Sequence, residues 1–305
     1  NAYSDFHVAT VYPREQTTPM GFALVDIDGD EILDLAAIQG GWGSPLVWYE
    51  RTREDAYWQR HVIAESGPSG VRFSAGDLAA GDIDGDGDAD VVGFEHPGEW
   101  HNDYTADIEP TEIHWFENLD HGASWKRHAI GRVPDFVKDV ELADFNGDGQ
   151  LDLVTVTYRD EHNFSVFRQD GPSTWTRVQN RTIENLHEGM DCGDIDGDGD
   201  QDVATNGYWL ENPGGSLEDD WPLRIVDDLW FSQSEEHWRK NATKIVCRDI
   251  DGDRRDEIFI AHSEKGGYPV AWYDSTDPRA GDWSRHDVTT GLTAVHTLAL
   301  GDLNG

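Results

Sequence analysis

The residues best placed to do chemistry are aspartates, and they recur. Asp26, Asp28, Asp30 and Asp34 take the first, third, fifth and ninth places of the stretch DIDGDEILD. Asp82, Asp84, Asp86 and Asp90 repeat that spacing, as do Asp144, Asn146, Asp148 and Asp152, and then Asp194, Asp196, Asp198 and Asp202. Asp249, Asp251, Asp253 and Glu257 form a fifth set in which Glu takes the last place, and Asp302 with Asn304 begins a sixth. Oxygens at this spacing surround one point while the seventh residue offers its carbonyl. Hard oxygen donors in that number, with Gly in the turn, suit Ca2+. A single stretch of this kind also arises in acidic surface turns, but five in register hold so many like charges together that a cation is required to offset the repulsion. An EF-hand does not fit, because strand-like segments flank the stretches and no Glu stands at the twelfth place.

The whole chain shares the acidity: its formal net charge is -38 and its pI about 4.3. That balance points to cations as partners and away from nucleic acid and anionic membrane surfaces. With 37% hydrophobic residues and 13 Trp, the chain is too rich in core-forming side chains to be a disordered acidic segment. No apolar run approaches the roughly 20 residues of a membrane helix. The first residue is Asn, so we expect a processed or trimmed chain, extracellular or secreted, without membrane insertion. Cys192 and Cys247 each lie two residues before an Asp stretch. They read as small core residues, with a bridge between adjacent repeats as the alternative.

The Asp stretches return roughly every 55 residues, and the same order of elements surrounds each. An apolar stretch precedes the loop; a second apolar stretch, an aromatic one and a Trp-containing one follow. In the first repeat these are GFALV, LAAI, PLVWYE and YWQRHVIA. Short, β-branched or aromatic, and bounded by Gly, Pro, Asn and Asp, they read as strands. Four strands in a repeat of this length make a propeller blade, so the fold class is an all-β propeller of four-stranded blades. We expect one domain over residues 1–305, with blades starting near residues 21, 75, 137, 188, 241 and 293. Residues 1–20 resemble a fourth strand and would complete the last blade. The chain stops inside the sixth loop, which implies C-terminal truncation before the ring is complete; seven blades is the preferred count and six the alternative. The aromatic third strands, and His61, His128 and His286 in their W-x-R-H segments, read as packing between and within blades.

These loops resemble those of the FG-GAP or VCBS repeat family, known from the propeller of integrin α subunits, over about Gly21 to Gly305. The resemblance implies that each Ca2+ loop joins the first and second strands of a blade. Members of the family include polysaccharide lyases and sugar dehydratases as well as adhesive proteins, so it implies a scaffold before a function.

If the loops occupy one face, the connections on the other face gather around the axis. They would carry His96, His101, Tyr104, Tyr158, Arg159, His162, Tyr208, Trp209, His262 and Lys265, and blade-to-blade loops would add Lys138, His187, Lys244 and His296. This mixture suits an acidic saccharide: a cation pairs with the carboxylate, an aromatic stacks on the ring, and Tyr or His moves a proton. His96, His101, Tyr104, Tyr158, Arg159, His162 and His262 are therefore the candidate catalytic residues of a uronate lyase. The alternative is a non-catalytic glycan- or protein-binding or adhesion module of a larger secreted protein. Asn163, Asn180 and Asn241 open glycosylation-type triplets.

Overall fold

The computed structural model describes residues 20–39, 44–51, 58–96, 110–157, 163–233 and 240–301. The proposed closing strand, apart from Met20, lies outside them, as do Asp302 and Asn304 of the sixth loop. Blade 1 comprises β1 (Met20–Val25), β2 (Asp34–Ile38), β3 (Leu46–Arg51) and β4 (Trp58–Ala64). Blade 2 comprises β5 (Ala80–Gly81), β6 (Asp90–Glu95), β7 (Thr111–Asn118) and β8 (Trp125–Val133). β9 (Val137–Ala143), β10 (Asp152–Thr157), β11 (Asn163–Gly171) and β12 (Thr174–Thr182) form blade 3. Blade 4 consists of β13 (Met190–Gly193), β14 (Asp202–Thr205), β15 (Tyr208–Leu210) and β16 (Leu223–Ile225). Blade 5 consists of β17 (Thr243–Arg248), β18 (Glu257–His262), β19 (Val270–Ser275) and β20 (Trp283–Thr289). Every blade is an antiparallel meander with its strands in chain order, and the protein is all-β, built of propeller-type blades. Each Asp stretch joins the first and second strands of its blade.

The chain gathers into two compact units, residues 1–137 with 170–175 and residues 138–169 with 176–305. In the second unit the period-two alternation of each strand sends neighbouring side chains to opposite faces of a blade. Val203 and Leu210 of blade 4 join Phe145, Val154, Val156, Phe164 and Val166 of blade 3 in one core. Their neighbours Ala204 and Trp209 join Ile245, Ile258, Ile260 and Tyr273 of blade 5 in another. The cysteines follow the same division: Cys192 packs on the first core and Cys247 lies in the second, and both are free thiols.

Within the blades the aromatic third strand is fastened to the fourth by one repeated arrangement. Trp48 stacks on His61 at 4.3 Å, Trp115 on His128 at 4.3 Å, and Trp272 on His286 at 4.1 Å. Each histidine places Nε2 on the carboxylate two residues after the Trp: Glu50 at 2.9 Å, Glu117 at 2.5 Å and Asp274 at 2.9 Å. Blade 4 uses Arg224 instead, with its guanidinium 5.7 Å from the Trp209 ring and Nε 2.5 Å from Glu211. These histidines are structural, as their regular place in the sequence implies.

Candidate metal centres

The first aspartate of each stretch builds the turn before any ion is considered. In the first loop Asp26 accepts amide N–H groups from Gly29 at 2.8 Å, Asp30 at 3.1 Å and Glu31 at 2.8 Å. Asp82 accepts from Gly85 and Gly87, Asp194 from Gly197 and Gly199, and Asp249 from Gly252 and Arg254. The fourth and sixth places of the loop both have positive φ, which is why Gly recurs there. Glu31 at φ 68° and Arg254 at φ 77° take that conformation without being Gly, at roughly 1 kcal/mol or more each.

The ninth place does a second structural task. Asp34, Asp90, Asp152, Asp202 and Glu257 are all buried. One oxygen of each accepts the N–H of the loop's second residue, Ile27, Ile83, Phe145, Ile195 or Ile250. In the first four the other oxygen accepts an N–H from the third strand or its end: Arg51, Asn118, Gln169 or Asn212, at 2.8 to 2.9 Å. The loop is thus anchored to the blade through one carboxylate.

The resulting geometry gathers oxygens. Donor atoms of Asp26, Asp28 and Asp34 lie within 4.8 Å of one another, as do those of Asp82, Asp84 and Asp86, of Asp194, Asp196 and Asp198, and of Asp249, Asp251 and Glu257. The third loop has an amide in the third place: Asn146 accepts from the Asp148 N–H at 2.8 Å and donates to Asp148 Oδ2 at 3.1 Å. Burial and the surrounding carboxylates outweigh the amide hydrogen bonds and push Asp34 up to about 6, Asp90 and Asp152 to about 7, and Asp202 to about 9. Both Asp196 oxygens are buried without an aligned hydrogen-bond donor. All-oxygen clusters set beside such buried carboxylates fit a hard divalent cation, which would offset both burial and repulsion.

At the other end of the blades of the second unit, where first strands begin and second strands end, a different cluster forms. Glu188, just before β13, ion-pairs with Lys138 at the start of β9 and accepts from the Ser263 hydroxyl after β18. Asp139 accepts the Gly189 N–H at 2.9 Å and lies 3.9 Å from the Lys244 ammonium at the start of β17. Although burial opposes it, the positive charges of Lys138, Lys244 and His187 hold the Glu188 carboxyl well below the usual range. The Glu188 carbonyl takes the Thr243 N–H at 3.1 Å and the Thr243 hydroxyl at 2.9 Å. This close approach requires Gly189: at φ 102° an added Cβ would lie 2.3 Å from Thr243 Oγ1 and 2.7 Å from its carbonyl oxygen.

Of the candidate catalytic residues, His101, Tyr104, Tyr158, Arg159 and His162 lie outside the described residues. His96 is 6% exposed and meets Phe136 edge-on at 5.4 Å. His262 is 1% exposed; its Nδ1 accepts the N–H groups of Glu264 at 3.2 Å and Lys265 at 3.0 Å, and its Nε2 faces the Gln233 amide at 2.9 Å. Burial, with the nearby Lys265 charge, lowers its pKa to about 4. The structure gathers Lys138, His187 and Lys244 around Glu188, whereas His296 is exposed, 3.8 Å from Glu264. Trp209, expected at the mouth, is fully buried, and Tyr208 stacks on Phe231 at 4.0 Å. Asn163 and Asn241 are buried, which removes both as sugar acceptors.

Several working residues escaped the sequence reading. Asn118 at the end of β7 donates to the Ile27 carbonyl of blade 1's loop at 2.8 Å, and Asn212 after β15 donates to the Phe145 carbonyl of blade 3's loop at 2.7 Å. The third-strand hairpin of one blade thereby latches the Asp loop of the blade before it. The in-register recurrence of Trp-x-Glu-Asn at Trp115–Asn118 and Trp209–Asn212 was the available signal.

Taken together, the chain is an all-β repeat protein whose blades carry acidic, oxygen-gathering loops. It contains an FG-GAP-like repeat: residues 144–205, from the third loop to the end of β14, match that family model. No curated protein matches the chain. Among solved structures it is similar to the rhamnogalacturonan lyase YesW, at 15% identity and a TM-score of 0.48, covering 90% of this chain and 50% of that one. It is also similar to the Trypanosoma rangeli sialidase, at 8% identity and a TM-score of 0.45, covering 90% of this chain and 49% of that one. A fructofuranosidase from Schwanniomyces occidentalis matches at 13% identity and a TM-score of 0.45, covering 91% of this chain and 62% of that one. The chain thus spans about half to three-fifths of the structures it matches, and likenesses this distant do not bear on what it binds.

Proposed function

We propose that this chain is an extracellular calcium-binding repeat protein that recognises an acidic saccharide as a module of a larger secreted protein. The observation that supports calcium is the convergence of three carboxylates within 4.8 Å in four separate loops, at equivalent places of four blades. Asp26, Asp28 and Asp34 in the first loop, Asp82, Asp84 and Asp86 in the second, Asp194, Asp196 and Asp198 in the fourth, and Asp249, Asp251 and Glu257 in the fifth would hold the ions, whose charge would relieve the repulsion among the carboxylates. Nothing in the cluster calls for a transition metal, since every donor is oxygen.

The saccharide reading is supported by where the rare lysines fall. The chain has five lysines among 23 basic residues, and three of them, Lys138, Lys244 and Lys265, lie at the loop-distant end of the second unit. Lys244 keeps 30% of its side chain exposed beside Asp139, placing a cation at the surface of an otherwise acidic protein. Recognition is favoured over catalysis because the His262 ring already serves two backbone amides. Nucleic acid is disfavoured as a partner by the net charge of -38.

Calorimetric titration of CaCl2 into chelator-treated protein should show several binding events, and absence of any heat or of any rise in melting temperature would refute the calcium reading. Uronate-containing polysaccharides should bind and neutral glucans should not, with Lys244→Ala weakening binding. Release of an unsaturated, ultraviolet-absorbing product would overturn the non-catalytic reading in favour of a lyase.

A further inference from the structure

The fourth loop has a cation from the next blade against it. Arg279 sits in the short 3-10 turn Pro278–Ala280 that follows β19 of blade 5. The turn is well fixed: the Asp277 side chain caps it by accepting the Ala280 N–H at 3.1 Å, and Pro278 is buried. From this position the guanidinium reaches back onto blade 4. Its Nη2 lies 2.7 Å from Asp196 and 2.5 Å from Asp198, its Nε donates to Glu211 at 2.6 Å, and the Arg279 carbonyl accepts from Arg224 at 2.9 Å. Asp196 has 2% of its side chain exposed, and both oxygens lack any aligned hydrogen-bond donor. A buried carboxylate is thus aimed into this loop with the Arg279 guanidinium 2.7 Å away.

The position of Arg279 follows from the repeat. In blades 2 and 4 the latch onto the preceding loop is an Asn amide that meets a backbone carbonyl and leaves the carboxylates alone. Blade 5 has Ser275 at that register position, so its hairpin has no amide to offer. The contact is made instead by the charge of Arg279 on the third and fifth places of the loop, two of the three residues that gather there.

We infer that Arg279 is a built-in counter-ion of the fourth loop: it closes the junction between blades 4 and 5 without calcium and competes with calcium for Asp196 and Asp198. It is thus a specificity-determining residue that weakens calcium binding at this loop. This inference rests on the calcium reading above. A Ca2+ ion between Asp194, Asp196 and Asp198 would share its ligands with a guanidinium, and two like charges cannot occupy one set of oxygens. Loading therefore requires Arg279 to swing away and surrender its charge-assisted hydrogen bonds.

The test is calcium calorimetry on the full chain, with chelated melting curves alongside, for the wild type, Arg279→Gln, and Asp196→Asn as the marker of the fourth loop. The wild type should show a weak binding event that Asp196→Asn abolishes. In Arg279→Gln that event should become at least about tenfold tighter, since the displaced contacts amount to more than one hydrogen bond to a charged group. The other events should stay within about twofold. The same variant should melt at a lower temperature than the wild type in chelator and recover in excess calcium. An Asp196-dependent event whose affinity is unchanged in Arg279→Gln would overturn the inference while leaving calcium in the other loops. Absence of calcium binding at every loop would overturn the calcium reading and the competition together.

Discussion

Replacing Asn118 by Ala tests the latch between a hairpin and the loop before it. Asn118 is fully buried, and its amide donates to the Ile27 carbonyl at 2.8 Å and to the Ala89 carbonyl at 3.3 Å. Its Oδ1 accepts the Gly122 N–H at 2.7 Å. Ala removes all three bonds while the backbone N–H to Asp90 at 2.8 Å persists. An unpaired buried polar group costs about 1–3 kcal/mol, so the two short bonds together with the longer one set the expected loss at about 3–5 kcal/mol. Trp48 and Trp125 both donate to the Gly122 carbonyl, at 3.3 and 3.1 Å, so tryptophan fluorescence will report the loosening. The assay is urea denaturation in saturating calcium, with hydrogen exchange at the Gly122 amide as the local probe. Asn118→Asp keeps the acceptor for Gly122 but faces two carbonyls with a carboxylate, and should be at least as destabilised. A loss below about 1 kcal/mol in Asn118→Ala, with Gly122 exchange unchanged, would refute the latch.

Two further outcomes are expected. In chelator, the raised pKa values of Asp34, Asp90, Asp152 and Asp202 mean that the folded state binds protons more tightly than the unfolded chain. Stability then falls as pH rises from about 4 through about 9, where Asp202 is the last to ionise. Glu188, held low, contributes in the opposite sense only as pH drops below the ordinary carboxylate range. The chelated protein should therefore melt higher at pH 5 than at pH 7.5, and excess calcium should reverse that order; a chelated protein that melts lower at pH 5 contradicts the account of the loops. Gly189→Ala should prevent the second unit from folding, whereas Gly149→Ala, at φ 86° with open space around the added carbon, should cost only about 1–2 kcal/mol. Circular dichroism melts of the pair will show whether close approach, not backbone conformation alone, dictates Gly189.

The loops and strands were legible because their signals are local. The Asp spacing, the glycines that follow it and the period-two strands all lie within a single repeat. The ninth-place carboxylate was readable as a ligand but not as the anchor to strand three, since its second partner lies 17 residues away for Asp34 and 28 for Asp90. Asn118 and Asn212 were not singled out because their partners, Ile27 and Phe145, belong to the neighbouring blade. Glu188 was hidden among 61 acidic residues, and only the meeting of β9, β13 and β17 gives it two lysines. The histidines were separable in part: the W-x-R-H set announces itself by recurrence, whereas the engagement of His262 by Glu264 and Lys265 depends on how one turn closes.

The latch also sets an order of events during synthesis. In each contact, Asn118 on Ile27, Asn212 on Phe145 and Arg279 on Asp198, the fastening residue is translated well after the loop it secures, by 91, 67 and 81 residues. At about 5–20 residues per second, a newly made loop waits roughly 3–20 s for its clasp. A growing chain therefore always trails one unfinished blade, with its acidic loop held only by its own backbone turn. On the calcium reading, an ion encountered in that interval would meet carboxylates not yet claimed by Arg279, and occupancy of the fourth loop would then depend on where and how fast the chain is made.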